Sequence, residues 1–346
     1  MSNPLVAVKN VKKYFPVYGG ILNKEVGQVK AVDGVSLSIQ EGETFGLVGE
    51  SGCGKSTMGK VLLSLVEPTE GEVIINGSNW TKVKGRDLIS LKKDAQIVFQ
   101  DPYSSLNPRM KIIDILMEPL NAHKIGTKKE RIALVEGIME KVGLNRKQIY
   151  RYPHEFSGGQ RQRIGVARAL ILNPKLIVLD EAVSALDVSI QSQILNLLIQ
   201  LQDDFNLTYL FISHDLSVIS HICDRVGVMY LGHLMEVADV STLYEKPLHP
   251  YTLSLLEAVP VPDPTKRRKK KVLEGDVPSP SNPPKGCVFS TRCPRVMEVC
   301  REKRPPLVHL FDREIACHLY PGEIGENQPG AIGSEDEKVG KEGGSR

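Results

Sequence analysis

Gly49-Glu50-Ser51-Gly52-Cys53-Gly54-Lys55-Ser56-Thr57 is the stretch on which the reading of this chain turns. Its spacing is Gly-x-x-x-x-Gly-Lys-Ser/Thr. It follows an apolar, strand-like run, Thr44 to Val48, and leads into a helix-like run from Lys55 to Leu65. Glycines in such a loop let backbone N–H groups turn inward and form an anion-binding concavity. The start of the following helix adds its partial positive charge. Lys55 can then reach the terminal phosphates of a nucleotide, and Ser56 can ligate Mg²⁺. A Gly/Ser-rich turn of no function would leave the Lys-Ser pair and the strand-to-helix setting unexplained.

Downstream, Leu176-Ile177-Val178-Leu179-Asp180-Glu181 is an apolar strand ending in two carboxylates. Ligands of open α/β sheets bind beyond the C-terminal ends of strands. Asp180 is therefore placed to hold Mg²⁺ and Glu181 to contact a water near the terminal phosphate. Phe156-Ser157-Gly158-Gly159-Gln160 precedes a helical run from Arg161 to Leu170, with Ser157 as N-cap. Small residues at a helix start can admit a phosphate; alone, this stretch would read as a capped surface helix. Residues 5–9 and 35–48 read as short strands, Val73-Ile74-Ile75 as a strand meeting an Asn76-Gly77 turn, and 97–99 as a buried strand ending at Gln100. Residues 101–153 are amphipathic and helical, an insertion in the α/β domain. Ile190, Ile194, Leu197, Leu198 and Leu201 stand at helix spacing between two strands, 176–179 and 208–212. That order predicts a parallel sheet with crossover helices.

These parts, in this order, resemble the ATP-binding cassette (ABC) family over residues 5–258. Phe15 or Tyr14 resembles the aromatic that stacks on adenine. Gly49, Glu50, Ser51, Gly52, Cys53, Gly54, Lys55, Ser56 and Thr57 resemble the Walker A loop. Gln100 resembles the Q-loop glutamine that bridges Mg²⁺ and the membrane subunit. Ser157, Gly158, Gly159 and Gln160 resemble the signature motif, Asp180 and Glu181 the Walker B pair, Asp187 the end of the D-loop, and His214 the switch histidine. Two departures stand out: Phe156 where Leu is common, and Ala182 where Pro is common. The resemblance implies a P-loop α/β domain, with a RecA-like core and antiparallel β and α-helical subdomains, at residues 1–258, the helical part at about 103–156. It also implies ATP and Mg²⁺ as ligands, hydrolysis aided by Glu181 and His214, and two cassettes paired head to tail.

Past residue 258 the composition changes to prolines around Lys266-Arg267-Arg268-Lys269-Lys270-Lys271, a run that reads as solvated before it reads as a lipid or permease contact. Cys287, Cys293, Cys300 and Cys317 then crowd together. Thiolates suit Fe–S clusters and Zn²⁺, the wide spacing fits zinc poorly, and idle thiols or disulfides are the bland readings. Residues 259–320 read as a small Cys-containing extension and 321–346 as a disordered tail. Pro247 to Thr252, Glu274 to Pro280 and Gly286 to Pro294 resemble the C-terminal extension of oligopeptide and dipeptide importer ATPases, and the insertion Val17–Lys30 resembles their F-type subunit. This resemblance implies a [4Fe–4S] cluster on the four cysteines, a D-type ATPase partner, two membrane permeases and an extracellular peptide-binding protein.

The net charge of +3 over 346 residues gives no footing for nucleic acid as a partner. No run approaches the about 18 apolar residues of a membrane span, and Met1 to Asn10 lack a signal pattern. The expected location is the cytoplasmic face of a membrane, bound through partners. A soluble ABC protein of DNA maintenance would carry a long coiled coil or zinc insertion between the Walker A and signature motifs, and residues 58–156 have no heptad run. A change of cargo, to nickel or an oligosaccharide, leaves this subunit type intact.

Overall fold

The computed structural model describes residues 3–20, 23–101, 105–258, 275–321 and 323–324. The chain begins with a long antiparallel pair, β1 (Val6–Gly19) and β2 (Lys24–Ile39), in register from Val6↔Ile39 to Gly19↔Lys24. The strands expected at 5–9 and 35–48 are therefore longer at one end and divided at the other. The ladder is broken by register shifts between Val8 and Tyr14, and its distal half is exposed, so no alternating pattern marks it. The second expected strand splits at Glu41-Gly42 into the end of β2 and β3 (Thr44–Val48). The phosphate loop joins β3 to α1 (Lys55–Leu62). β4 (Glu70–Ile75) pairs with β1 and turns through Asn76-Gly77, both at positive φ, into β5 (Ser78–Asn79). These four strands form one sheet in the order β2-β1-β4-β5.

α2 (Gly85–Leu91) leads to β6 (Ala95–Val98), and a helical region follows: α3 (Ile112–Ala122), α4 (Lys128–Lys141) and α5 (Gly158–Leu170). Ile112, Leu116 and Leu120 of α3, Val135 and Met139 of α4 and Ile164 of α5 are fully buried in one core. Thr127 starts α4 with a reciprocal capping box to Glu130. β7 (Leu176–Asp180), α6 (Val188–Phe205), β8 (Thr208–Ser213), α7 (Leu216–Ile222) and β9 (Arg225–Tyr230) complete the nucleotide-fold core. β9, β3, β8, β7 and β6 lie side by side and parallel. Every residue of β3, β7 and β8 is buried, which is why these strands read as unbroken apolar runs.

The described part of the C-terminal extension adds strands to the main sheet. β10 (His233–Asp239) pairs antiparallel with β9 on one side and with β12 (Arg313–Ile315) on the other. α8 (Val240–Glu245), α9 (Pro250–Ala258) and α10 (Glu298–Glu302) lie between them in sequence. β11 (Val308–Leu310) and β13 (Glu323–Ile324) extend the same sheet to nine strands, β13-β11-β12-β10-β9-β3-β8-β7-β6. Cys287, Val288, Phe289 and Cys300 are buried in the core that also holds Tyr230 and Tyr251. Strands of two or three residues give no periodic signal, so the sequence did not announce this continuity. The basic run 266–271, and the expected tail apart from 321 and 323–324, lie outside the described residues. Among the described residues no helix is long and apolar enough to cross a membrane.

Candidate nucleotide site

The phosphate loop is shaped by two glycines that no other residue can replace without displacing backbone. Gly49 has φ +151° and Gly54 φ +107°; a Cβ on either would stand 2.0 Å from a carbonyl oxygen, of Met229 and Ala31 respectively. Lys55 is buried, and its Nζ donates to the loop carbonyls of Gly49 at 2.7 Å and Glu50 at 3.0 Å. The ammonium thus sits at the centre of the loop. α1 begins at Lys55 with no side-chain cap and no acidic residue in its first turn, which leaves its positive end facing the loop. Ser56 Oγ donates to Asp180 Oδ1 at 2.7 Å. Burial pushes the Asp180 carboxyl up, while the Ser56 hydroxyl and the Lys60 charge pull it back. A hydroxyl and a carboxylate at the phosphate end of the loop are the hard oxygen donors that suit Mg²⁺.

Glu181 follows at φ +49°, in left-handed backbone that a glutamate rarely adopts. Its N–H donates to the Ile212 carbonyl at 3.0 Å, which pins the end of β7 to β8. Its carboxylate sits between two polar groups: Gln100 Nε2 donates to Oε2 at 2.7 Å, and His214 Nδ1 lies 3.4 Å from Oε1. Three residues widely separated in sequence, each beyond a strand end, thus meet at one point.

A cavity of about 410 Å³ opens beside this group, lined by Lys55, Ser56, Gln100, Glu181, Phe15 and Pro280 among others. Of Phe15 and Tyr14, only Phe15 lines this cavity. The Tyr14 hydroxyl donates to Asp33 at 2.5 Å, while the Phe15 ring lines the cavity.

The signature stretch is folded as expected but lies elsewhere. Ser157 caps α5, with Gln160 N–H donating to Ser157 Oγ at 3.3 Å and Ser157 N–H to Gln160 Oε1 at 3.0 Å. Neither residues 157–160 nor Asp187 line the cavity. Gly159 has a local reason as well: a Cβ there would stand 2.5 Å from Ile190 Cγ2 of α6. Gly158 is the more open of the two, with Leu186 the nearest contact at 3.8 Å. Phe156, the departure from Leu, is buried, and Ala182 is too.

The four C-terminal cysteines are free, and Cys287, Cys293 and Cys300 lie near enough to Cys317 to raise its thiol. Burial pushes the thiols of Cys287, Cys293 and Cys317 up, Cys317 to about 11, and the neighbouring cysteines raise each further. The Cys287 N–H donates to the Cys300 carbonyl at 2.8 Å. Among the described residues no three His, Cys, Asp or Glu side chains are arranged to hold a metal ion, so the geometry lends the expected metal no support.

Sequence reasoning missed three residues that touch the loop or its cavity. The Glu50 N–H donates to the Tyr251 hydroxyl at 2.9 Å, Arg292 Nη1 lies 2.7 Å from Glu50 Oε2, and Pro280 lines the cavity. Their separations from Glu50 are so large that no motif spacing could announce them.

Comparison with known proteins agrees with this geometry. Residues 32–184 match the family model described as ABC transporter, and residues 235–300 match that of the oligopeptide/dipeptide transporter C-terminal region. The chain is 55% identical over 322 residues to the oligopeptide transport ATP-binding protein AppF of Bacillus subtilis, covering 91% of this chain and 97% of that one. It is 47% identical over 336 residues to a probable peptide ABC transporter ATP-binding protein of Sinorhizobium fredii, covering 96% and 95%. Among solved structures, the dimeric post-hydrolysis state of the ATP-binding cassette MJ0796 bound to ADP and Pi superposes with a TM-score of 0.60 at 29% identity, covering 68% of this chain and 98% of that one. The chain therefore belongs to the ABC transporter family, in the group that carries the oligopeptide/dipeptide transporter C-terminal region.

Proposed function

We propose that this chain is the ATP-hydrolysing subunit of a peptide importer, and that the meeting of Gln100, Glu181 and His214 beside the phosphate loop is where hydrolysis is performed. That three-residue contact is the observation that carries the reading. In this account Phe15 stacks on adenine and the loop N–H groups with Lys55 bind the phosphates. Ser56, Asp180 and Gln100 hold Mg²⁺, which offsets phosphate charge. Glu181 orients the attacking water, His214 contacts the terminal phosphate, and Gln100 bridges the Mg²⁺ site and the membrane subunit. Ser157 to Gln160 and Asp187 complete the site of a partner chain, consistent with their lying away from this chain's own cavity. The partner is a D-type ATPase, and the pair works on the cytoplasmic face beneath two permeases fed by an extracellular peptide-binding protein. Residues 1–258 are the cassette and 259–320 the extension.

The four C-terminal thiols are assigned to a metal cluster in this reading. In residue type and number they match the four thiolates that a [4Fe–4S] cluster takes, and that match, with the family resemblance, is what supports the reading. Bound there, it would staple the extension, whose own strands are very short. Anaerobically purified protein should then be brown with about four irons per chain. Cys317→Ser should lose the colour and loosen the extension while nucleotide binding persists. Colourless protein with titratable thiols and a folded extension would remove the cluster from the account. Cargo is tested separately: peptide-loaded binding protein should stimulate ATP turnover of the assembled transporter, and stimulation by a sugar- or nickel-loaded one alone would replace the peptide assignment.

A further inference from the structure

Glu50 places a carboxylate in the phosphate loop, next to Ser51 and Gly52, which line the nucleotide cavity. A bare carboxylate there opposes the binding of a polyphosphate by simple charge repulsion, and more strongly where water is excluded. The fold answers that charge from outside the cassette motifs. Arg292 Nη1 lies 2.7 Å from Glu50 Oε2; the arginine side chain is only 7% exposed and the glutamate 26%. Arg292 immediately precedes Cys293 in the C-terminal extension, and its guanidinium lies over the Tyr230 ring, 6.0 Å from the centroid. Tyr230, Tyr251 and Phe289 pack as a three-ring cluster with centroids 4.7 to 5.3 Å apart, joining β9, α9 and the extension. The same Tyr251 accepts the Glu50 N–H, so Glu50 is gripped by both its backbone and its side chain. At the cavity mouth, the Lys30 N–H donates to the Pro280 carbonyl at 3.2 Å, a second tie between the extension and the nucleotide site.

We infer that Arg292 is a positioning residue for the nucleotide site: it neutralises and anchors Glu50, so that the C-terminal extension sets the affinity of the phosphate loop. The inference rests on the reading of this cavity as the ATP site. Arg292 does not touch the phosphates; it removes a charge that would repel them and fixes the loop segment that faces them. The extension and the nucleotide are therefore linked, and whatever disorders residues 286–293 weakens nucleotide binding.

Titration of the full chain with a fluorescent Mg-ATP analogue tests this. Arg292→Ala should weaken binding by about tenfold, and Arg292→Lys should recover most of that loss. Glu50→Gln placed on Arg292→Ala should restore affinity towards wild type, since it removes the charge left bare. A role confined to packing would not produce that rescue. Should Arg292→Ala fail to fold, Arg292→Gln with and without Glu50→Gln makes the same comparison. Affinity of Arg292→Ala close to wild type, or no rescue by Glu50→Gln, overturns the inference, provided Lys55→Ala has lost binding. Unchanged binding by Lys55→Ala would instead overturn the ATP-site reading beneath it.

Discussion

Glu181 holds an uncommon backbone conformation at φ +49° with its carboxylate between Gln100 and His214. Strain of about 1–3 kcal/mol at such a position persists only where surrounding contacts over-determine it. Here the bond to Ile212 and the two side-chain partners do so. Glu181→Gln keeps the shape and removes the base, so turnover should fall about 10²-fold or more with nucleotide binding retained, as single-turnover hydrolysis and equilibrium titration would show. Lys55→Ala removes the buried ammonium at the loop centre, and nucleotide affinity itself should drop. The motif residues were legible in the sequence because phosphate binding demands particular residue types at a fixed spacing. Which of Phe15 and Tyr14 lines the cavity was not, because neighbours on a strand face opposite ways and only the register decides. Glu181's backbone and the Arg292–Glu50 pair were not legible either, since both arise from contacts between distant segments.

At the scale of elements, the junction between cassette and extension is the least expected part of the fold. Glu236 of β10 is fully buried; its carboxylate accepts the N–H groups of Leu248 and His249, and pairs with Arg313 of β12 at 3.1 Å. His249 lies beside Phe289, and its Nδ1 accepts the Tyr251 N–H at 3.0 Å. Burial lowers the His249 pKa from 6.5 to about 3. Between those values the unfolded chain takes up a proton that the folded chain refuses, so the folded state loses stability as pH falls. The loss should approach about 1.4 kcal/mol per pH unit once the pH is below the unfolded value of 6.5. Chemical unfolding at pH 7 and pH 5 should show it, and His249→Gln should flatten that part of the profile. An equal pH slope in the variant would mean His249 is not the group responsible. Parallel strands β3, β6, β7 and β8 were legible from their apolar runs, while β9 was not read from the sequence. The far half of the β1–β2 pair and strands β11 to β13 were not, because exposed or very short strands carry no hydrophobic period.

For the whole molecule, residues 157–160 do not line this chain's cavity, and in the two-chain arrangement proposed above one copy alone builds only part of a hydrolytic site. The isolated chain should turn over ATP slowly, with a rate that rises when the partner ATPase and permeases are added. A high rate independent of concentration for a proven monomer would contradict the two-chain arrangement. That arrangement came from ordered motifs and not from composition, which marked only a globular chain of ordinary charge. In the function proposed above, Glu181, set by Gln100 and His214, drives ATP hydrolysis for peptide import. Its most direct test is the ATPase rate of the assembled transporter in lipid vesicles, with peptide-loaded binding protein outside, for the wild type and for Glu181→Gln. Peptide should stimulate turnover in the wild type, and the variant should lose that turnover while still binding ATP; turnover in the variant within a few-fold of wild type would remove Glu181 from this role.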